Sequence, residues 1–374
     1  MDNYFFSVVV PTHNRSSLLE PLLESVVAAK AAFSGQVEVI IVDSSEGSEA
    51  KKIQTLCDDY SAHYIKSTNK VTRKRNLGVE KARGEFIFFT DSDCELTKDV
   101  FTEHLRTYEQ FGRGTVGVLG LTKVIGDTAP VWQTLHLDSS FTAAFSFARL
   151  MDQAPWGTCT NLSFPKKLFE NIGGFDEGWE LPVYGEDVDL GLRFNEAGFH
   201  IQCNPLAIVN HNSSSINSVW QVIRKKFLTG RADFYLGKKH PDRLALEYPG
   251  WVSVGLFLLP IAILKSSIVG NFAFTLLAVV VLLLGILFQA LLTLIALKAE
   301  YKYLLRLVLV IIFEAMFEAG KHVQSLAKGK FKRLWTKFIY SEKQLLGERN
   351  KRIRQVWSIV FVFFTYILLS SFIS

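Results

Sequence analysis

The 374-residue sequence predicts an α/β domain with a Rossmann-like, mainly parallel sheet, followed by an all-α membrane region. Two observations predict the α/β domain: short β-branched runs alternate with segments of helical period, and polar residues follow the ends of those runs. Long apolar runs in the last third of the chain predict the membrane region. We expect domains at residues 1–240 and 241–374.

The first elements follow the order strand, loop, helix, strand. Ser7 to Val10 is a β-branched run that is ended by the polar segment Pro11 to Arg15. Leucine and valine then recur at helical spacing between Leu18 and Val27. A second run, Val37 to Val42, ends at Asp43. This succession is typical of the first βαβ unit of a doubly wound sheet.

The next elements lead to the central strand of the predicted sheet. Glu49 to Tyr60 has a polar-apolar helical period, and Tyr64 with Ile65 predicts a short third strand. A basic helix over Asn69 to Arg83 comes next. It runs directly into Phe86 to Phe89, a continuous apolar run of the kind that forms a strand buried on both faces.

Two acidic residues, Asp91 and Asp93, follow the central strand directly. In an extended chain the residues i and i+2 point to the same side, so we expect both carboxylates to converge while Ser92 faces away. Two hard oxygen donors at the mouth of a parallel sheet suit Mg²⁺ or Mn²⁺. The alternative is a turn whose aspartates cap the next helix.

Several polar residues share the predicted rim at the carboxyl ends of the strands, and each has two interpretations. Asp43 either caps the helix near Ser48 or accepts a hydrogen bond from a base N–H. Asn14 either satisfies its own loop or helps to shape a nucleotide pocket. Arg75 either lies on a solvated helix face or pairs with a diphosphate.

Three segments, in this order and at this spacing, resemble a known family: SVVVPTHNR, VEVIIVDSS and KRNLGVEKARGEFIFFTDSDCEL. They are similar to the nucleotide-binding half of the family 2 inverting glycosyltransferases of GT-A fold. The resemblance implies a UDP- or GDP-sugar donor, with Asp91 by the ribose and the metal and Asp93 bound directly to Mn²⁺ or Mg²⁺. The residues implied to line the nucleotide pocket are Pro11, Thr12, Asn14, Asp43 and Arg75.

The middle of the chain continues the resemblance. Residues 155–177 resemble the family segment in which a small-residue loop with Asn161 precedes a GGFDE turn, and Tyr184 to Leu190 matches the G-E-D-x-D-L acceptor motif. Helical residues two apart point about 200° away from each other, so Asp187 and Asp189 cannot chelate one ion.

The resemblance assigns the role of catalytic base to Asp187, beside Glu186. At a helix start the dipole helps to keep a carboxylate ionised. The alternative is an ordinary acidic helix N-terminus.

Two further candidates lie downstream. His211 follows an apolar run and is either a hydrogen-bonded structural residue or, as the resemblance implies, a third metal ligand. Gln221 to Lys225 lies where processive members of the family carry Q-x-x-R-W, but Lys225 replaces the tryptophan. We therefore expect non-processive synthesis. Arg224 belongs to a basic helix that could close over the diphosphate or lie against anionic head groups.

The last third of the chain predicts a membrane region. Residues 251–374 carry 15 Lys and Arg against 5 Asp and Glu, whereas residues 1–250 carry 26 against 31. Basic residues among long apolar runs indicate anionic lipid rather than nucleic acid as a partner. The runs 251–264, 268–297 and 356–374 are nearly free of charge, and the second is too apolar on all sides for a helix of a soluble core.

We expect about three transmembrane helices, formed by a hairpin of 251–269 and 272–297 and by the C-terminal run, with an interfacial helix over 303–320. The competing hairpin pairs 272–297 with 303–320. The basic segment 321–354 should remain cytoplasmic, and so should the catalytic half, because no signal peptide precedes its first strand. The four widely spaced cysteines are expected to be reduced thiols.

The expected function is an inverting, metal-dependent transfer of a sugar to a hydroxyl of a lipid-linked or cell-envelope glycan acceptor, as in polysaccharide biosynthesis. Two alternatives remain open at this point. One is an enzyme that loads a sugar onto a polyprenyl phosphate, and the other is a non-catalytic membrane sensor or scaffold for sugar nucleotides.

Overall fold

The computed structural model describes residues 5–112, 116–126, 130–135, 137, 143–181 and 184–373. The chain forms two compact units, one of residues 1–132 and 139–217 and the other of residues 133–138 and 218–374. The domain limits of 1–240 and 241–374 stay a prediction.

The first unit is a sheet with helices. Its strands are β1 (Phe5–Thr12), β2 (Gln36–Asp43), β3 (His63–Lys66), β4 (Phe86–Phe89), β5 (Cys94–Leu96), β6 (Val116–Ile125), β7 (Gln153–Ala154), β8 (Leu162–Pro165) and β9 (His200–Asn212). Its described helices are α1 (Ser16–Ala32), α2 (Gly47–Asp59), α3 (Val71–Lys81), α4 (Val100–Phe111), α6 (Phe147–Leu150), α7 (Lys166–Asn171) and α8 (Glu186–Glu196), and the residues of α5 (Pro130–Leu135) are divided between the two units.

The sheet has the strand order β3-β2-β1-β4-β8-β6-β9-β5, and β7 pairs with β9 outside this path. The first four strands in this order are parallel, whereas β8 runs antiparallel to both of its neighbours. Helices that connect parallel strands return the chain to the same edge, so the ends of β1, β2 and β4 are neighbours. The predicted Rossmann-like, mainly parallel sheet is confirmed.

Strand β4 lies in the middle of the sheet and is buried on both faces, as its apolar run predicts. Phe86 stacks on Tyr108 of α4 with ring centroids 4.3 Å apart. On the other face, Phe89 contacts Phe169 and Phe175 at 5.5 and 5.4 Å. Aromatic contacts on both faces of β4 fix the position of its carboxyl end, where the acidic segment begins.

The second unit is mostly helical. Its helices are α9 (Val219–Lys239), α10 (Trp251–Val269), α11 (Ala273–Ala296), α12 (Leu304–Ala327) and α13 (Glu342–Ser370), with a small antiparallel pair of β10 (Leu244–Leu246) and β11 (Thr336–Phe338). Three segments are long and apolar enough to cross a membrane: Trp251–Val269, Ala273–Ala296 and Arg352–Ser370.

Helix α12 joins this unit together through two kinds of contact. Gly320 meets Gly230 of α9 so closely that a Cβ on either residue would clash with backbone of the other helix. Two residues earlier, the buried carboxylate of Glu318 accepts hydrogen bonds from the backbone N–H groups of Gly250, Val252 and Ser253 at 2.9 to 3.1 Å. Glu318 therefore caps the start of α10, whose own N-cap residue is a glycine.

Candidate active site

The ends of the parallel strands bring several candidate residues to one edge of the sheet. In the β1–β2 register Pro11 lies opposite Val42 and Thr12 lies opposite Asp43, so β1 continues through the proline instead of ending before it. Asn14 follows with a φ of 52°, in the left-handed region. Its backbone N–H donates to Ser45 Oγ at 2.7 Å, which joins the loops after β1 and β2.

Asp43 is fully buried and holds the loop after β2. Its Oδ1 accepts from the backbone N–H and the hydroxyl of Ser45 at 2.9 and 2.6 Å, and its Oδ2 accepts from the Tyr64 hydroxyl at 3.1 Å. Burial and the Asp43 carboxylate raise the pKa of Tyr64 to about 12, so this hydroxyl remains a donor. Asp43 therefore closes its own loop rather than capping a helix near Ser48.

The chain turns at the two acidic residues after β4, so the extended geometry expected there is wrong. The Cys94 N–H donates to the Asp91 carbonyl at 3.1 Å, which closes the turn. Each carboxylate has a separate arginine partner: Asp91 Oδ1 lies 3.1 Å from Arg75, and Asp93 Oδ2 lies 3.0 Å from Arg15. The i and i+2 rule fails here because it holds only for extended backbone.

A possible metal centre forms around Asp93. Cys94 lies opposite His211 in the β5–β9 register, and Asp93 Oδ1 lies 3.7 Å from His211 Nε2. Among the described residues, Asp93, Cys94 and His211 form a cluster whose possible ligand atoms lie within 4.8 Å of one another. Asp91 does not belong to that cluster.

The donor atoms of this cluster fit a divalent ion. Asp93 Oδ1 is buried and has no hydrogen-bond partner among the described residues, a state that costs free energy unless a ligand satisfies the oxygen. Burial and the neighbouring Asp93 raise the pKa of the Cys94 thiol well above its usual value, so without a metal ion the thiol is protonated at neutral pH. The carboxylate and the imidazole of the cluster are compatible with Mn²⁺.

Arg75 links the acidic turn to the start of α8. Its buried guanidinium lies 3.1 Å from Asp91 Oδ1 and 2.8 Å from Glu186 Oε1. The ring of Phe175 lies 5.4 Å from the guanidinium carbon. Asn76 fixes Phe175 through two hydrogen bonds, since its amide donates to the Phe175 carbonyl and its Oδ1 accepts from the Phe175 N–H at 2.8 and 2.9 Å.

Helix α8 begins at Glu186, as the sequence predicts, after two residues in the left-handed region. Tyr184 has a φ of 77° and Gly185 a φ of 87°. A left-handed tyrosine is a strained conformation of the kind that is found at functional sites. The resulting turn presents Glu186 and Asp187 in the first turn of the helix.

The second aspartate of the α8 motif has a structural role. Asp189 is fully buried and accepts from Arg193 Nε at 2.9 Å. Arg193 also donates to the carbonyls of Ile172 and Gly174 at 2.7 and 2.6 Å, which fixes the GGFDE turn. The prediction that Asp187 and Asp189 act separately agrees with this arrangement.

Burial and the adjacent Glu186 raise the pKa of Asp187 to about 7, although Arg75 and a hydrogen bond from the Val188 N–H act in the opposite direction. The helix start was expected to keep this carboxylate ionised, whereas burial and Glu186 favour its protonated form. Desolvation of the charged form outweighs the helix dipole here. A carboxyl group that titrates near neutral pH is suited to exchange protons with a substrate.

Asn161 lies beneath this edge in a buried polar network. Its amide donates to the carbonyls of Leu121 and Ala207 at 3.1 and 2.9 Å, and its Oδ1 lies 2.9 Å from His104 Nε2. Burial lowers the pKa of His104 to about 4, so the imidazole is neutral. Because an amide oxygen only accepts, Nε2 carries the proton and Nδ1 accepts from the Ser163 hydroxyl, 2.7 Å away.

The sequence did not single out roles for Arg15, Asn76, Phe175 or Lys74. Lys74 is buried and donates to the Thr12 carbonyl at 2.7 Å, and burial lowers its pKa to about 8. Arg15 and Phe175 stand within the quoted motifs, but nothing in their spacing showed which carboxylate or cation they would contact. Arg224 lies on α9 of the second unit, on a helix whose start is capped by Ser218 and Gln221.

Comparison with known proteins supports the architecture. Residues 7–173 match the model of glycosyl transferase family 2. The O-antigen biosynthesis protein RfbC of Myxococcus xanthus is 25% identical over 228 residues, 56% of this chain and 17% of that protein. The pre-mycofactocin glycosyltransferase of Mycobacterium tuberculosis is 26% identical over 246 residues, 64% of this chain and 49% of that protein. The chain thus spans about half or less of the length of these relatives.

The fold is also that of a solved glycosyltransferase. The mannosyltransferase PcManGT of Pyrobaculum calidifontis, in complex with GDP-Man and Mn²⁺, has a TM-score of 0.54 and 15% identity, with 85% of this chain and 86% of that chain covered. At that identity the likeness concerns the fold alone. The chain therefore carries a glycosyl transferase family 2 domain of GT-A-like fold, followed by helices of which three are apolar enough to span a membrane.

Proposed function

We propose that the protein transfers a sugar from a nucleotide-diphospho-sugar to an acceptor hydroxyl with inversion at the anomeric carbon. One observation carries this proposal. Asp187 lies in the first turn of α8 beside Glu186, which Arg75 joins to the acidic turn at the carboxyl edge of the sheet, and burial and Glu186 raise the pKa of the Asp187 carboxyl group. The base, Asp187, and the cation, Arg75, are thus connected through Glu186.

The reaction is a single displacement. Asp187 takes the proton of the acceptor hydroxyl as its oxygen forms a bond to the anomeric carbon, on the face opposite the nucleotide. The bond from that carbon to the diphosphate oxygen breaks, and the electron pair leaves with the nucleoside diphosphate. Arg75 would stabilise this negative charge with little reorganisation, because Asp91 and Glu186 hold its guanidinium beside the Phe175 ring.

Asp93 and His211 would hold the divalent ion, with Asp91 nearby on the same turn. Such an ion, Mn²⁺ or Mg²⁺, supplies a Lewis acid that neutralises charge on a diphosphate. The Mn²⁺ and GDP-Man in the complex of the mannosyltransferase of the same fold support this assignment. Pro11, Thr12, Asn14 and Asp43 would shape the nucleotide pocket.

The membrane region and the relatives support the choice of acceptor. The α10–α11 hairpin and the C-terminal span would hold the family 2 domain at the cytoplasmic face, where lipid-linked glycans of the cell envelope are accessible. The name of the Myxococcus relative refers to O-antigen biosynthesis, a cell-envelope product. Lys225 in place of the tryptophan of processive enzymes supports single additions.

The test uses the detergent-purified full chain and a panel of UDP- and GDP-sugars, with and without Mn²⁺. We expect one donor to give metal-stimulated release of nucleoside diphosphate, with a product of inverted anomeric configuration. Asp187→Asn should lose transfer to hydroxyl acceptors. Activity retained by Asp187→Asn would indicate a polyprenyl phosphate acceptor, which is already anionic and needs no base. Nucleotide binding without turnover across the panel would indicate a sensor or scaffold.

A further inference from the structure

A groove runs between α11 and α13 in the membrane region. The two helices touch at Gly285, where a Cβ would clash with Val362 and with Trp251. The rings of Phe288 and Phe361 stack just beyond this point, with centroids 4.7 Å apart. From there an open groove, lined by both helices, extends toward the end of α11 and the start of the apolar part of α13.

The groove has a cavity volume of about 920 Å³, which is within the range of small-molecule sites. Its walls are aliphatic and aromatic side chains of both helices, among them Leu292, Ile295, Trp357, Val360 and Phe364. Trp357 and Phe364 are 62% and 67% exposed, so these rings have no covering protein in the described chain. Such a surface matches an apolar chain better than a polar ligand.

The depth of the groove corresponds to one leaflet of a bilayer. Phe288 and Leu297 mark its two ends on α11, and at 1.5 Å per residue they are roughly 14 Å apart. The hydrocarbon core of a bilayer is about 30 Å thick, so this length covers about half of it. A single acyl chain of one leaflet has the matching extent.

Arg354 is the charged residue in the lining of the groove, and it lies near the start of the apolar part of α13. Its Nε is buried and has no hydrogen-bond partner among the described residues. The guanidinium stands in the first turn of the Arg352–Ser370 span, at the level where a helix passes from head groups into hydrocarbon. A fork of N–H donors at that depth fits the oxygens of a phosphate.

We propose that this groove is a binding site for one anionic phospholipid of the cytoplasmic leaflet. The phosphate accepts hydrogen bonds from Arg354, and one acyl chain lies between α11 and α13 down to the Phe288–Phe361 contact. Charge complementarity favours a lipid with net negative charge over a zwitterionic one, because the ammonium group of the latter would lie beside the arginine. The proposal is independent of the sugar-transfer chemistry.

The experiment measures lipid retention by the full chain in detergent by native mass spectrometry, with phosphatidylglycerol and phosphatidylcholine added in turn. We expect one phosphatidylglycerol per chain, bound more tightly than phosphatidylcholine. Arg354→Gln should weaken this binding roughly tenfold, the effect of losing charge-assisted hydrogen bonds. Arg352→Gln removes the same charge two residues away, outside the groove lining, and should change the affinity little.

A second pair of variants tests the apolar part of the site. Leu292→Trp fills the groove and should prevent retention, whereas Leu283→Trp, at a 62% exposed position of the same helix outside the lining, should not. Equal retention of the two lipids, or equal effects of Arg354→Gln and Arg352→Gln, would overturn the proposal. Displacement of phosphatidylglycerol by an equimolar polyprenyl phosphate would overturn the assigned occupant, and so would displacement by millimolar inorganic phosphate.

Discussion

At the scale of single residues, the candidate site depends on charges that are held in pairs. Asp91 and Asp93 each have an arginine partner, and Glu186 shares one of them. Asp187 stands beside these pairs, accepts a hydrogen bond from the Val188 N–H and carries the raised pKa. Asp91, Asp93 and Glu186 are stabilised as carboxylates by direct arginine partners. The raised pKa of Asp187 is what allows this residue to gain and lose a proton near neutral pH.

The raised pKa of Asp187 predicts a pH dependence of transfer. Only the ionised carboxylate can act as a base, so the rate should rise as the pH increases through about 7 and then level off. Asp187→Asn should lower the rate by roughly 10²-fold or more and remove this rise. Steady-state rates from pH 5.5 to 9 provide the measurement. Glu196→Gln, at the other end of α8, should keep the wild-type profile, and an unchanged profile in Asp187→Asn would assign the base elsewhere.

The Arg15–Asp93 pair predicts a competition between arginine and metal. The Arg15 guanidinium lies 3.0 Å from Asp93 Oδ2, so a divalent ion that binds this carboxylate must share it or replace the arginine. Arg15→Gln should therefore bind Mn²⁺ several-fold more tightly in the absence of nucleotide, by the removal of a nearby positive charge. The signal of free Mn²⁺ in electron paramagnetic resonance reports this affinity.

Two controls accompany the Arg15 measurement. Asp93→Asn should lose Mn²⁺ binding, and Arg73→Gln, which removes an exposed arginine that pairs with Glu177, should leave it unchanged. If Arg15→Gln and Arg73→Gln have equal Mn²⁺ affinities, the pair with Asp93 does not regulate the metal.

At the scale of elements, the sequence predicted most strands and helices and few of the contacts between them. The apolar run of β4 and the helical period of α3 were sufficient to predict these two elements. A strand buried on both faces is apolar throughout, whereas a helix buried on one face has apolar residues at helical spacing. The prediction of an extended segment at 91–93 was wrong. The hydrogen bond from the Cys94 N–H to the Asp91 carbonyl, which closes the turn, leaves no sign in the residue spacing. Likewise, no local pattern showed that Asn76 would hold Phe175 from 99 residues away.

The Asn161 network predicts a large stability loss for a small change. Asn161→Ala removes the side-chain partner of two carbonyls and of the His104 N–H, and each buried group that is left unsatisfied costs about 1–3 kcal/mol. The unfolding midpoint of the purified chain in denaturant should fall strongly. Asn195→Ala removes two hydrogen bonds at a partly buried position and should cost less. Equal midpoints for the two variants would show that the network contributes no more than a partly buried amide.

At the scale of the whole molecule, composition separates the two parts of the chain more clearly than any motif. The three segments with the length and hydropathy of membrane spans lie within or close to the apolar runs that the sequence marks, and α12, expected at the interface, is not among them. The direction in which each helix crosses depends on the flanking charges rather than on packing.

The proposed topology predicts which loops are accessible from each side of the membrane. With three spans and a cytoplasmic family 2 domain, Asn271 between α10 and α11 faces outward and Glu300 after α11 faces inward. In a Cys203→Ser background, Asn271→Cys should react with an impermeant maleimide in intact cells. Glu300→Cys should react only after the cells are opened. The reverse labelling would favour the hairpin of 272–297 with 303–320.

The cap on α10 also has a consequence for how the chain is made. The carboxylate that completes the first turn of this helix belongs to Glu318, which is 65 to 68 residues farther along the chain than the amides it binds. A ribosome therefore delivers both helices of the hairpin before the group that finishes the first of them has been synthesised. We expect the newly inserted hairpin to keep that turn in contact with water until α12 docks, so that assembly of this region is completed after insertion.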